Sequence, residues 1–193
     1  MKNKIREYTF GIIFLIFPFT LLSSDLVEVK KRIINNSDCT HPSYICKDTA
    51  YYIKHTDYYI NNPNKMTDSL QIRLIEELLN LQGNEKPDMV KVNITSCDVC
   101  STLYTGDRLD VTIQMTALFK IEKLLLKRIN KKGIPYSVIR NKEENYLLYG
   151  DEEEFKKIYK LYWDWFKVLK EKGFDYIIKN NINALDNTKY SWY

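Results

Sequence analysis

The stretch Gly150 to Gly173 constrains this chain more than any other. Asp151 is a good N-cap residue, and Glu154 three positions later completes a capping box. Glu152 and Glu153 add negative charge to the first turn, where the helix dipole favours it, and Lys167, Lys170 and Lys172 crowd the last. Gly173 then supplies a stop signal. Between the caps, apolar residues from Phe155 to Leu169 sweep an arc of roughly 220° at the helical period, wider than the stripe of an ordinary surface helix. Trp163 and Trp165 fall nearly opposite one another, so the spacing predicts a helix covered on two sides and both indoles buried. Phe155, Tyr162, Trp163, Trp165 and Phe166 are the expected structural core.

A second helix is predicted over Thr67 to Gly83, capped by Thr67, with Leu70, Leu74, Leu78 and Leu81 in a row. Leu26, Val29 and Ile33 suggest a short helix over Asp25 to Ile34, and the tyrosine-rich Asp48 to Ile60 reads as another. Asn61 to Lys65 is a break around Pro63. Val90, Val92 and Ile94 alternate with polar residues, a strand pattern. Asp107 to Ile129 carries Val111, Met115, Leu118, Ile121, Leu125 and Ile129 at helical spacing; its first half also fits a strand, and one long helix is the preferred reading. Pro135 to Ile139 and Tyr146 to Tyr149 fit a hairpin. Glycine (6) and proline (5) are scarce, which favours long elements over tight turns. The expected fold is therefore mostly α, one compact helical domain over residues 25–193 with a small hairpin; α+β is the alternative.

Residues 1–24 read as a signal peptide: Lys2, Lys4 and Arg6 before an apolar run from Phe10 to Leu22, then Ser23 and Ser24. The run is shorter than a spanning helix needs and contains Pro18. A periplasmic or secreted protein is expected; an uncleaved N-terminal membrane anchor is the alternative, and the only expected contact with a membrane. The leader holds three of the 29 basic residues and one of the 25 acidic ones, leaving 26 against 24 and a net charge of +2. Such a balance argues against a nucleic-acid partner.

Four cysteines in an exported chain suggest a disulfide framework, and Cys39, Cys46, Cys97 and Cys100 allow three pairings. Cys97-Asp98-Val99-Cys100 after a strand also resembles the redox motif of thioredoxin-like proteins, and Gly133-Ile134-Pro135-Tyr136 is similar to their proline loop. That resemblance implies thiol–disulfide oxidoreductase activity on Cys97 and Cys100. Against it, no Trp precedes Cys97, no Gly-Pro lies between the pair, and 34 residues separate Cys100 from Pro135. A four-cysteine zinc site is disfavoured by the Cys39–Cys46 spacing, so no metal or cofactor is expected. His41 and His55 are the only histidines and lie near no nucleophile motif. Lys120, Lys123, Lys127 and Lys131 would share one side of the long helix, a basic face open to solvent or to an acidic partner. Asn35-Asn36-Ser37 and Asn93-Ile94-Thr95 match the glycosylation sequon.

Tyr159, Tyr162, Trp163 and Trp165, followed by Leu185, Tyr190 and Trp192, resemble the C-terminal pattern of some small exported bacterial proteins of unknown function, over about the last 40 residues. The resemblance implies export and a helical domain, and carries no catalytic residues. Together these features point to an exported, non-catalytic protein of the envelope that binds another protein, as inhibitors and immunity proteins do, with the thiol–disulfide enzyme as the alternative. Mass spectrometry of protein from its native compartment under non-reducing conditions should show a chain beginning near Asp25 without free thiols; two or more free thiols would remove the two-bridge framework.

Overall fold

The computed structural model describes residues 25–36, 46–54, 56–92, 109–131, 138–148 and 151–192. In chain order these form strands β1 (Glu28–Asn36) and β2 (Cys46–Lys54), helix α1 (Thr56–Asn61), a 3-10 turn (Pro63–Lys65), helix α2 (Asp68–Leu79), strands β3 (Pro87–Val92) and β4 (Leu109–Thr112), helix α3 (Ile113–Arg128), strands β5 (Ile139–Asn141) and β6 (Tyr146–Leu148), helices α4 (Glu152–Lys172) and α5 (Phe174–Lys179), and strand β7 (Tyr190–Trp192). The strands make a four-stranded sheet ordered β1-β2-β3-β4 and a three-stranded sheet ordered β6-β5-β7. The fold is α+β, and the expectation of a mostly helical domain is corrected by these two sheets.

The correction begins at the first two elements. Both were expected as helices, and both are strands, paired antiparallel from Glu28 opposite Lys54 to Asn36 opposite Cys46. The 3–4 spacing of Leu26, Val29 and Ile33 is genuine, but Val29, Lys31 and Ile33 also share one face of a strand. The branched and aromatic content of the two segments fits a pleated surface, and opposite Val29 stands Ile53, which is buried. The helix expected from Asp48 survives only as α1, whose Ile60 enters the core.

The long helix expected over Asp107 to Ile129 begins as strand instead. β4 pairs antiparallel with β3, Val92 opposite Leu109. The change of state falls at Thr112, whose extended backbone ends the strand and whose hydroxyl accepts from Met115 N–H at 3.4 Å, capping α3. Long-range bonds hold the junction: Ile113 N–H donates to the Lys86 carbonyl (2.9 Å), Gln114 N–H to that of Asn84 (3.0 Å), and Gly83 N–H to the Gln114 side chain (3.0 Å). Beyond Thr112 nearly every residue up to Leu118 is buried, so α3 enters the interior end-on.

The two strongly marked helices form as read. Thr67 caps α2, accepting from Leu70 N–H at 3.3 Å, and Gly83 follows with φ of +76°, the left-handed conformation that glycine takes without strain. Asp151 caps α4, accepting from Glu154 N–H at 3.0 Å. Gly173, at φ +81°, turns the chain from α4 into α5. The hairpin forms as β5 and β6, and β7 adds to the other side of β5.

Phe155, Tyr162, Trp165 and Phe166 are buried on α4 as expected. Trp163 is the exception: it is half-buried, stacked edge-on to Phe166 at 5.8 Å and donating its indole N–H to Gln82 at 3.2 Å. Trp165, 4% exposed, donates to the Ile182 carbonyl at 3.2 Å. Removing a fully buried aromatic side chain costs about 3–5 kcal/mol, against a net stability of about 5–15 kcal/mol for a domain. Trp165→Ala should therefore lower the urea midpoint sharply, Trp163→Ala by about half as much, and Lys160→Ala, on the exposed arc, by no more than about 0.5 kcal/mol. Equal losses for the two Trp variants would show that both indoles are covered.

Candidate functional site

An apolar cleft opens where the end of α3 meets α5 and the turn after it. Its aliphatic lining is Leu125, Ile129, Ile177, Ile178 and Ile182, and Arg128, Lys131, Asn181 and Asn183 supply the polar rim. The space is about 520 Å³ including its open mouth. Local structure explains why apolar groups reach solvent here. Ile129 is the C-cap of α3, past the last turn that the interior covers, and is 37% exposed. Ile177 and Ile178 are neighbours on a helix of six residues, about 100° apart, so one face cannot bury both. Ile177 is 3% exposed and Ile178 40%. Tyr176, in the same helix, is exposed as well.

The rim is held by specific bonds. The Arg128 guanidinium lies over the Phe174 ring at 4.1 Å, donates to Gln71 at 3.1 Å and pairs with Asp68 at 2.9 Å. Gln71 is itself buried and donates to the carbonyls of Pro63 (3.0 Å) and Met66 (3.2 Å), so α2 fixes the position of Arg128. The Asn183 amide donates to the Asp186 carboxylate, which also accepts from Asn183 N–H at 2.8 Å. Asn181 turns the chain with φ of +49°. Together these bonds fix the cleft walls.

Behind the cleft two polar groups fasten the C-terminal strand. Trp192 donates its indole N–H to the Tyr162 hydroxyl at 2.9 Å, and that hydroxyl donates to Glu122 at 3.4 Å. Burial pushes the Glu122 carboxyl above its ordinary range; Asp186 adds to the rise, while Tyr162, Lys131 and Trp192 oppose it. At the other end of β7, Glu154 accepts from the Tyr190 hydroxyl and from Lys157 (2.5 Å) and lies 3.2 Å from Lys189. Lys157, then Tyr190, hold the Glu154 carboxyl down to about 2. Asp151 and Glu154 thus form half of a capping box: the backbone bond is made, and the Glu154 carboxylate turns to the tail instead.

The residues singled out in the sequence are distributed unevenly over this geometry. Lys120 leaves the expected basic face: it is 8% exposed and pairs with Asp57 at 2.5 Å. Lys123 is half-buried, Lys127 and Lys131 are exposed, and of the four only Lys131 lines the cleft. The basic face is therefore not a continuous surface. Cys39, Cys97, Cys100, His41 and His55 lie outside the described residues, and Cys46 opens β2 with its side chain outside them. Among the described residues no group of three or more His, Cys, Asp or Glu stands ready for a metal ion, and no helix is long and apolar enough to cross a membrane. Ile129, Ile177, Ile178, Asn181 and Ile182 were not anticipated. The adjacent pair Ile177–Ile178 in a short helical stretch was the available signal, since helical geometry exposes one of them.

The two carboxyls predict opposite pH behaviour. Glu154 has a folded value below its ordinary 4.5, so its stabilisation is full above that pH and fades as pH falls towards about 2. Glu154→Gln should cost about 2 kcal/mol at pH 7, and the difference from wild type should shrink below about pH 4.5. Glu122 has a raised folded value, so its carboxylate destabilises the fold at neutral pH and the protonated form does not. Glu122→Gln should raise the thermal midpoint at pH 7 and lose that advantage in acid. Parallel pH profiles for the two variants would contradict both assignments.

Searches of known protein families, of curated proteins and of solved structures find no match to this chain.

Proposed function

We propose that this chain is an exported, non-catalytic protein that binds another protein through the cleft between α3 and α5, in the manner of an envelope inhibitor or immunity protein. The observation that carries the reading is the cleft itself: Ile129 and Ile178 stand exposed beside a floor of buried Leu125 and Ile177. Most apolar residues of α2, α3 and α4 are buried, and Leu70, Ile72, Leu161, Trp163 and Val168 are partly covered. Exposed apolar residues that cluster in a concavity with a polar rim characterise sites of protein association. The N-terminal leader supports export, and the nearly neutral charge outside it suits a protein partner better than a polyanion.

A photoreactive residue at Ile178 should give one discrete crosslinked adduct when the full chain is irradiated in its native compartment, and the same residue at Lys160 should give none. Absence of an adduct at Ile178 removes the binding reading. Turnover in an insulin-reduction assay that is lost in Cys97→Ser would replace it with the thiol–disulfide enzyme.

A further inference from the structure

The rim of the same cleft carries the chemistry of its occupant. Arg128 already has its anion in Asp68, and its guanidinium is committed to Gln71 and Phe174. Lys131 differs: it is exposed, it lines the cleft, and it forms no ion pair among the described residues. The nearby carboxyl that acts on it, Glu122, is buried against Tyr162 and the tail. Lys179, exposed and next in sequence to Ile178, likewise forms no ion pair among the described residues. Along α4 the pattern is reversed, because Lys156, Lys157, Lys160, Lys167, Lys170 and Lys172 each have a carboxylate partner. Among the described residues no carboxylate lines the cleft, the nearest on the rim being Asp186 behind Asn183, so Lys131 is the lining charge left without an anion.

Resting on the binding reading above, we infer that the occupant is an acidic segment of the partner protein carrying one large aliphatic or aromatic anchor. The anchor enters between Ile129 and Ile178, and a carboxylate one or two residues away pairs with Lys131. The Asn181 side chain, which lines the cleft and makes no hydrogen bond among the described residues, is available to the main chain of that segment. A basic segment would meet like charge from Lys131, which selects against it. The mouth opens to solvent, so the cleft covers a single side chain from a larger body and does not enclose a small ligand.

Three dansyl-labelled peptides test this against the full chain by fluorescence anisotropy: Glu-Asp-Leu-Phe-Glu-Asp, its counterpart Lys-Lys-Leu-Phe-Lys-Lys, and the anchorless Glu-Asp-Ala-Ala-Glu-Asp. The first should bind at least about tenfold more tightly than the other two, and more weakly as salt rises from about 50 to about 300 mM. Lys131→Glu and Ile178→Asp, both at exposed positions and checked for wild-type melting, should each weaken it about tenfold, and Lys160→Glu should leave it unchanged. Equal binding of the basic peptide, an unaffected Lys131→Glu variant, or no binding of any peptide overturns the inference. A crosslinked partner at Ile178 together with any of those results would leave the binding reading standing and show that only the chemistry of the occupant was wrong.

Discussion

Two tyrosine hydroxyls buried on α4 set the arrangement of everything around them. A phenol taken out of water needs a hydrogen-bond partner, and one left without it costs about 1–3 kcal/mol. Tyr159 finds the Gln114 carbonyl at 2.8 Å, in the first turn of α3. Tyr162 lies between Glu122, further along α3, and Trp192, in strand β7. Burial raises both phenols far above their ordinary range, so they stay protonated and remain donors. These bonds fix the register of α4 on α3, and apolar packing alone would tolerate more slippage. The second sheet, the turn after α5 and the cleft all take their positions from that pair of helices.

How much of this could be read beforehand followed the range of the interactions involved. Caps are local: Thr67 and Asp151 each bond to a backbone N–H three residues on, and both helices were legible down to their first turns. Strands are not local. Residues near 31 become a strand because residues near 51 lie alongside, and nothing within ten positions of Lys31 records that neighbour. Thr112 illustrates the same limit within one run. The apolar positions from Leu109 to Ile121 satisfy both periods, and the bonds that decide between them come from Asn84 and Lys86 on another segment. Burial of single side chains failed in a similar way. Trp163 and Lys120 were placed by helical geometry on the correct arcs, but Gln82 and Asp57, which settle how far each is covered, belong to distant parts of the chain.

The cleft was harder to foresee because it arises where patterns end. Ile129 follows the last turn of α3 and Ile178 precedes the last residue of α5, positions at which periodicity no longer assigns a face. Its rigidity comes from residues with no other evident employment. Gln71 joins three elements at once: it donates to the carbonyls of Pro63, the first residue of the 3-10 turn, and Met66, the residue after it, sits in α2, and accepts from Arg128 of α3. A side chain so placed holds one wall of the cleft without touching the space within it.

The strand β7 has a consequence in time. It completes a sheet whose middle strand, β5, lies some 50 residues earlier, and Tyr190 and Trp192 reach two different points along α4. Until residues 190–192 are present, β5 has one neighbour instead of two, Glu154 lacks the Tyr190 hydroxyl, and Tyr162 lacks the indole. On a chain emerging from the ribosome, β5 and α4 therefore wait some 20 to 50 residues for the strand that covers them, and this part of the interior closes late in sequence order although its other elements are already present.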